Sequence, residues 1–283
     1  MTADATRRRA PRRTPKNPEG RMTLVEHLRE LRNRLFKAAL AIVACAVVGY
    51  IFFNPIFHFL SHPYCRLPAA HGLHGNGKCN LQVTQPLDFF MLKLKVAFIV
   101  GLVLACPVWL YQLWAFITPG LHRNERKWAM TFLALAIPLF VAGCGLAFYA
   151  ISHALAFLMP GSSGDVYANL EVTKYFSFVL GMLLMFGIGF EFPLLVVLLN
   201  VVGVVSDRRW RKWRRGVIFL LFVFAAIATP DGTGLSMIML AIPLVVLYEI
   251  ALIFTRAHDK RKEARRQAFL DQELQDMSES EAT

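Results

Sequence analysis

The chain has 283 residues, of which 56% are hydrophobic, with a mean hydropathy of +0.46 and a net charge of +12. It is too apolar for a soluble domain of this length. The charge does not point to nucleic acid, because lysine and arginine alternate with the apolar runs instead of gathering on one face.

Residues 1–21 are rich in arginine and proline and are expected to be a disordered basic arm. Its Arg7-Arg8-Arg9 reads as an orientation signal. No cleavable leader is expected, since the first apolar run follows this long polar arm and has no small-residue cleavage site after it. Thr23 and Glu26 have capping-box spacing and open a helix. Leu24, Leu28, Leu31 and Leu35 form one stripe, with Glu26, Glu30, Asn33, Arg34 and Lys37 on the other side. This is the pattern of an amphipathic collar at a membrane surface, running into the first apolar run at residues 38–53.

A long connection over residues 54–92 contains Pro55, Pro63, Pro68 and Pro86. Short interfacial helices are expected around residues 55–60 and 88–93. Cys65 and Cys79 lie here with His71 and His74 between them. A disulfide, free thiols and a metal site are all open readings, and an oxidising exterior favours the disulfide. Cys45, Cys106 and Cys144 fall within apolar runs and read as small buried residues.

Further apolar runs follow at residues 96–117, 128–150, 175–205, 217–229 and 235–254. Pro107, Pro138, Pro193 and Pro243 interrupt them, and the resulting kinks suit curved helices around a concave surface. Residues 151–174 form a second long connection with a turn at 160–164, and residues 230–234 form a tight one. The fifth run is short: roughly 21 Å of helix at 1.5 Å per residue, against a hydrocarbon core of about 30 Å. Beyond residue 256 a polar tail is expected, unstructured after Asp271. No internal repeat is present.

In lipid these runs must be helices, because every backbone group has to be satisfied internally. The fold class is therefore all-α integral membrane, with six spans over residues 22–256, between the arm of 1–21 and the tail of 257–283. Basic residues crowd the N-terminal arm, residues 123–127, residues 208–215 and the C-terminal tail, whereas the other connections hold almost none. Both termini are then cytoplasmic, in a bacterial inner membrane.

No Walker loop, H-E-x-x-H or G-x-S-x-G occurs, so an enzyme is not expected. Four acids stand out. Glu191 interrupts a strongly apolar run, where an acid usually marks function and otherwise serves a helix–helix hydrogen bond. Glu249 lies nearer the basic end and reads as structural. Glu30 and Glu125 are acids on a cationic surface. Each also has a bland reading: Glu30 as the i,i+4 partner of Arg34, Glu125 as a charge at a helix N-terminus.

The segment from His27 to Leu35 (HLRELRNRL) resembles the N-terminal signature of TatC, the receptor subunit of the twin-arginine protein translocase. Further matches follow in order. They are Pro107 to Leu121 (PVWLYQLWAFITPGL), Asn124 to Lys127, Ser177-Phe178, Gly187 to Pro193 (GIGFEFP), Thr229-Pro230-Asp231, Leu240 to Pro243 and Tyr248-Glu249-Ile250. The resemblance implies a six-helix, glove-shaped protein that binds Arg-Arg signal peptides of folded cargo and assembles with single-span TatA- and TatB-type subunits. It also implies a homo-oligomer within a receptor complex, drive by the proton-motive force, and no cofactor. By the same resemblance Glu30 and Glu125 hold the signal arginines, and Glu191, Thr229 and Met237 belong to the intramembrane partner face. Met237 stands where the family often carries glutamine. The alternative reading is a proton-coupled small-solute transporter relaying through Glu191, although the inverted repeats and paired broken helices of such transporters are not seen.

Overall fold

The computed structural model describes residues 24–67, 70, 79, 81–117, 125–158, 170–229 and 234–281. The arm at 1–21, His71, His74 and the turns at 160–164 and 230–233 lie outside them.

The collar and the first run form one helix, α1 (Leu24–Ile51). Leu28, Leu31 and Leu35 face outward from the protein. At Phe52 the chain turns into α2 (Phe53–Cys65), which is longer than the short interfacial helix expected there. After β1 (Leu81–Gln82), α3 (Pro86–Leu104) opens on a capping box. The Gln85 backbone N–H donates to the Asp88 carboxylate at 2.9 Å, with Pro86 in the first turn. The sequence suggests a separate helix at 88–93 and a span starting at 96; the structure has one helix. Two lysines obscure its continuity, and both are accommodated locally. Lys93 Nζ sits 4.3 Å above the Tyr50 ring, and Lys95 Nζ donates to Ser177 Oγ at 2.7 Å.

The second run bends by 58° between α3 and α4 (Cys106–Ile117), in keeping with Pro107. Trp109 Nε1 donates to the Leu102 carbonyl at 2.9 Å across this break, satisfying an acceptor that the bend frees. Then come α5 (Glu125–Leu158), β2 (Leu170–Glu171), α6 (Val172–Val201), α7 (Asp207–Ala228) and α8 (Gly234–Glu281). α6 stops short of the expected Val205 because Gly203 takes φ 85°, a left-handed stop that a side chain would resist. α8 overturns the expectation of an unstructured tail: it is helical to Glu281. From residue 256 onward that stretch has no proline or glycine and is rich in Ala, Arg, Lys, Gln, Glu and Leu, all strong helix formers.

By length and apolarity α1, α5, α6 and α8 can each cross a membrane, and the bent pair α3–α4 makes a fifth crossing. α7 does not qualify, because its first half is arginine-rich; only residues 217–228 are apolar. Among the described residues five of the six expected spans therefore pass, and α7, which holds the fifth apolar run, is the thin one.

α6 lies at the centre, packing against α3, α5, α7 and α8. Its Phe176, Val179, Met182 and Phe186 are fully buried. α1 meets α3 through small residues: a Cβ on Gly101 would lie 2.6 Å from the Ala46 backbone. A second cluster joins α4, α5 and α6 through Leu110, Trp114, Phe132, Phe140 and Leu198.

The end of the bundle away from the basic segments is capped. Cys65 and Cys79 are bonded, with Cα atoms 5.2 Å apart. β1 pairs in parallel with β2, Leu81 opposite Leu170, so the two long connections are tied together. Tyr175 Oη donates to the Leu60 carbonyl at 2.7 Å, and Phe57 stacks on Phe176 at 4.8 Å. Burial raises the Tyr64 phenol above its usual range, while the Lys174 ammonium and Thr173 hydroxyl hold the Glu171 carboxylate low.

Candidate binding face

The opposite, basic end is open. α1 and α4 flank a polar groove there, lined by Glu26, Arg29, Glu30, Asn33, Arg34, Lys37, Tyr111 and Gln112, with a volume of about 680 Å³. His27 stacks on Phe116 at 4.5 Å and holds the two helices together beside it. Glu30 is clamped by Arg34: Nε donates to Oε1 at 2.9 Å, and Nη2 donates to the same oxygen. This is the i,i+4 pair of the bland reading. It leaves Glu30 Oε2 buried with no hydrogen-bond partner among the described residues.

Arg34 and Gln112 also border a second cavity of about 400 Å³, which is almost wholly apolar. Leu35, Ala38, Ile42, Leu102, Trp109 and Phe116 line it, and it ends at Ile188 and Glu191 of α6. On the far side of Glu191 a third cavity of about 420 Å³ opens among Trp114, Phe192, Leu195, Leu221, Phe224 and Leu244. Shared wall residues make these three spaces neighbours. Arg34 joins the polar groove to the first apolar cavity, and Glu191 with Leu113 and Ile188 joins the two apolar cavities. The face therefore grades from charged to apolar with one acid in the middle. Neither carboxylate oxygen of Glu191 has a hydrogen-bond partner among the described residues.

The other candidates are placed differently. Glu125 begins α5, but its side chain is outside the described residues, so its distance from Glu30 is not part of this geometry. Thr229 is buried at the end of α7, where its Oγ1 donates to the Ala225 carbonyl at 3.0 Å; its hydroxyl is committed to its own helix. Met237 on α8 is half-buried against the main core. Glu249 pairs with Arg214 at 2.7 Å across α7 and α8, matching its structural reading. Sequence reasoning missed Asp259. Its carboxylate accepts from the Asp207 backbone N–H at 2.9 Å and from Asn200 Nδ2 at 3.1 Å, capping α7 from α8. A lone acid beside a basic run was its one signal.

The family profile described as Sec-independent protein translocase protein (TatC) matches residues 26–243. A protein of that name from Frankia casuarinae is 45% identical over 254 residues, 88% of this chain and 70% of that protein. One from Corynebacterium kroppenstedtii is 40% identical over 272 residues, 89% of this chain and 66% of that protein. The chain thus spans about two thirds of the length of these two relatives. A crystal structure of the twin-arginine translocase receptor TatC in DDM superposes with a TM-score of 0.70 at 31% identity, covering 81% of this chain and 99% of that one. Sequence and fold agree, and the chain belongs to the TatC family of Sec-independent protein translocase proteins.

Proposed function

We propose that this protein is the receptor component of a twin-arginine translocase in a bacterial plasma membrane, with the disulfide-capped end outside and both termini in the cytoplasm. It engages Arg-Arg signal peptides in the groove between α1 and α4 and assembles, in more than one copy, with TatA- and TatB-type single-span subunits. The observation that carries this reading is the graded face. A signal peptide is a basic stretch followed by an apolar one, and here a charged groove with Glu30 runs into an apolar cavity. Glu30 and Glu125 take the arginines, since a carboxylate binds guanidinium through parallel hydrogen bonds that lysine cannot reproduce. Arg34 holds only Oε1 of Glu30, so an incoming arginine meets the other oxygen and displaces Arg34 only when it binds both. Glu191, with neither oxygen partnered among the described residues, receives a polar group of the peptide or of a partner helix, and Thr229 and Met237 border the edge where that helix docks.

Photocrosslinking of an Arg-Arg signal peptide to the full-length protein in membranes tests this. Crosslinks from position 112, in the same groove, are expected in the otherwise unaltered protein, and their loss in a Glu30→Ala, Glu125→Ala double variant. Unchanged crosslinking in the double variant would place the arginine site elsewhere. The relatives described above carry the translocase name and give the transporter reading through Glu191 no support.

A further inference from the structure

α7 and α8 run antiparallel and are held in register at two points. The Asp207 N–H donates to Asp259 Oδ2, and Arg214 Nε donates to Glu249 Oε1. Residues 211–215 of α7 therefore lie level with the part of α8 around residues 249–255. At that depth α8 is still apolar and outward-facing: Ile250, Ile253 and Phe254 are exposed by 56%, 69% and 53%. The basic half of α7 is thus drawn into a leaflet instead of standing clear of it. This follows from its length, since the apolar residues 217–228 span only about 18 Å of a core of about 30 Å.

Charges at this depth need partners. Arg214 has Glu249 and Arg211 has Asp207. Arg208, Lys212 and Arg215 are exposed, and none forms an ion pair among the described residues. Their 4-3 spacing sets them in one stripe, opposite the buried Trp210, Val217 and Leu221. Toward the membrane centre the same stripe continues as Phe219, 70% exposed, then half-buried Phe222 and exposed Ala226. Trp213, on the adjoining row, is 54% exposed, as suits an indole at the interface.

We propose that this outer face of α7 binds an anionic phospholipid of the leaflet at the basic end. The lipid's phosphate sits among Arg208, Lys212 and Arg215, and its chains lie along Phe219 and Ala226. Three unpaired cations set directly above an outward apolar stripe complement one amphiphile, an acidic headgroup on acyl chains. The arginines offer forked N–H donors to phosphate oxygens and the lysine adds a point charge. Holding headgroups this deep also thins the leaflet against α7, which removes the mismatch of its short apolar half.

The test uses the full-length protein, delipidated and exposed to equal amounts of phosphatidylglycerol and phosphatidylcholine, with retained lipid read by native mass spectrometry. A preference for phosphatidylglycerol of roughly tenfold to a hundredfold is expected from three interfacial cations. It should fall to near parity in an Arg208→Gln, Lys212→Gln, Arg215→Gln variant and partly in Lys212→Gln alone, which guards against a triple variant that does not fold. A Lys260→Gln, Arg261→Gln, Arg265→Gln variant loses the same charge from the exposed end of α8 and should keep the preference. Equal retention of both lipids by the unaltered protein, or equal loss in the α8 variant, would overturn the proposal. So would release of the lipid by millimolar inorganic phosphate, which would mark a free-anion site, or an acidic polypeptide retained on the stripe in place of lipid.

Discussion

The two ends of this bundle handle polar groups in opposite ways. At the capped end they are consumed: a disulfide, a strand pair, the Tyr175–Leu60 hydrogen bond and stacked aromatic rings join α2, α5, α6 and the loops into one body. On the open face they are left over: among the described residues Glu30 keeps one unpartnered oxygen and Glu191 keeps two, and neighbouring cavities lie between the helices. A buried unpartnered acid costs stability. Among the described residues, then, the capped end is where polar groups are paired, and the other face, which holds the unpartnered acids, is the one proposed above to take a ligand.

Substitutions can break that division. The largest expected effect is a Cys65→Ser, Cys79→Ser variant. The bond closes a sequence separation of 14, a loop size for which chain entropy gives about 3 kcal/mol. Thermal unfolding in detergent should fall accordingly, and peptide mapping without reductant should recover the linked pair. Two alkylatable thiols in the native protein would remove the capped end's covalent tie. Next is Gly101→Leu. Its side chain has no room against Ala46, so overpacking of about 1–3 kcal/mol should part α1 from α3. A stability loss with signal-peptide binding lost only in proportion fits a purely structural contact. Tyr175→Phe should cost about 1 kcal/mol by removing the hydrogen bond to the Leu60 carbonyl, with binding unchanged.

The open face should respond in the other sense. Glu191→Leu is expected to leave thermal stability level or slightly raised, because it removes an acid without partners, yet to impair transport; Glu191→Gln should be milder in transport. A Leu variant with lower stability and full transport would reverse the comparison. The smallest stability effect expected is that of Arg34→Gln, since a partly exposed i,i+4 pair contributes about 0.5 kcal/mol. If incoming arginines displace Arg34, this change should tighten signal-peptide binding. Weaker binding would mean that Arg34 positions the peptide directly.

Much of the fold and part of the open face are legible in the chain alone, for physical reasons. Lipid leaves the backbone no choice but helix, so apolar length places the spans, and proline places the bend at Pro107. The short apolar stretch of α7 is a local feature too. Charge alternation divides the two ends. Glu191 stands out because it interrupts a strongly apolar run far from the basic segments, where an acid is costly.

What the sequence could not show is set by contacts between distant residues. Lys93 and Lys95 read as charges at a helix start, and only the fold shows them inside one helix, with Lys93 over the Tyr50 ring of α1 and Lys95 donating to Ser177 of α6. Residues 257–281 read as a tail because their helicity shows in propensity and not in an apolar period, and Asp259 reads as one more charge until α7 starts beneath it. The joining of charged groove to apolar cavities depends on the angle at which α4 leaves α3 and on where α6 brings Glu191. No local pattern encodes that angle; it is the packing of α1, α4 and α6 that decides it.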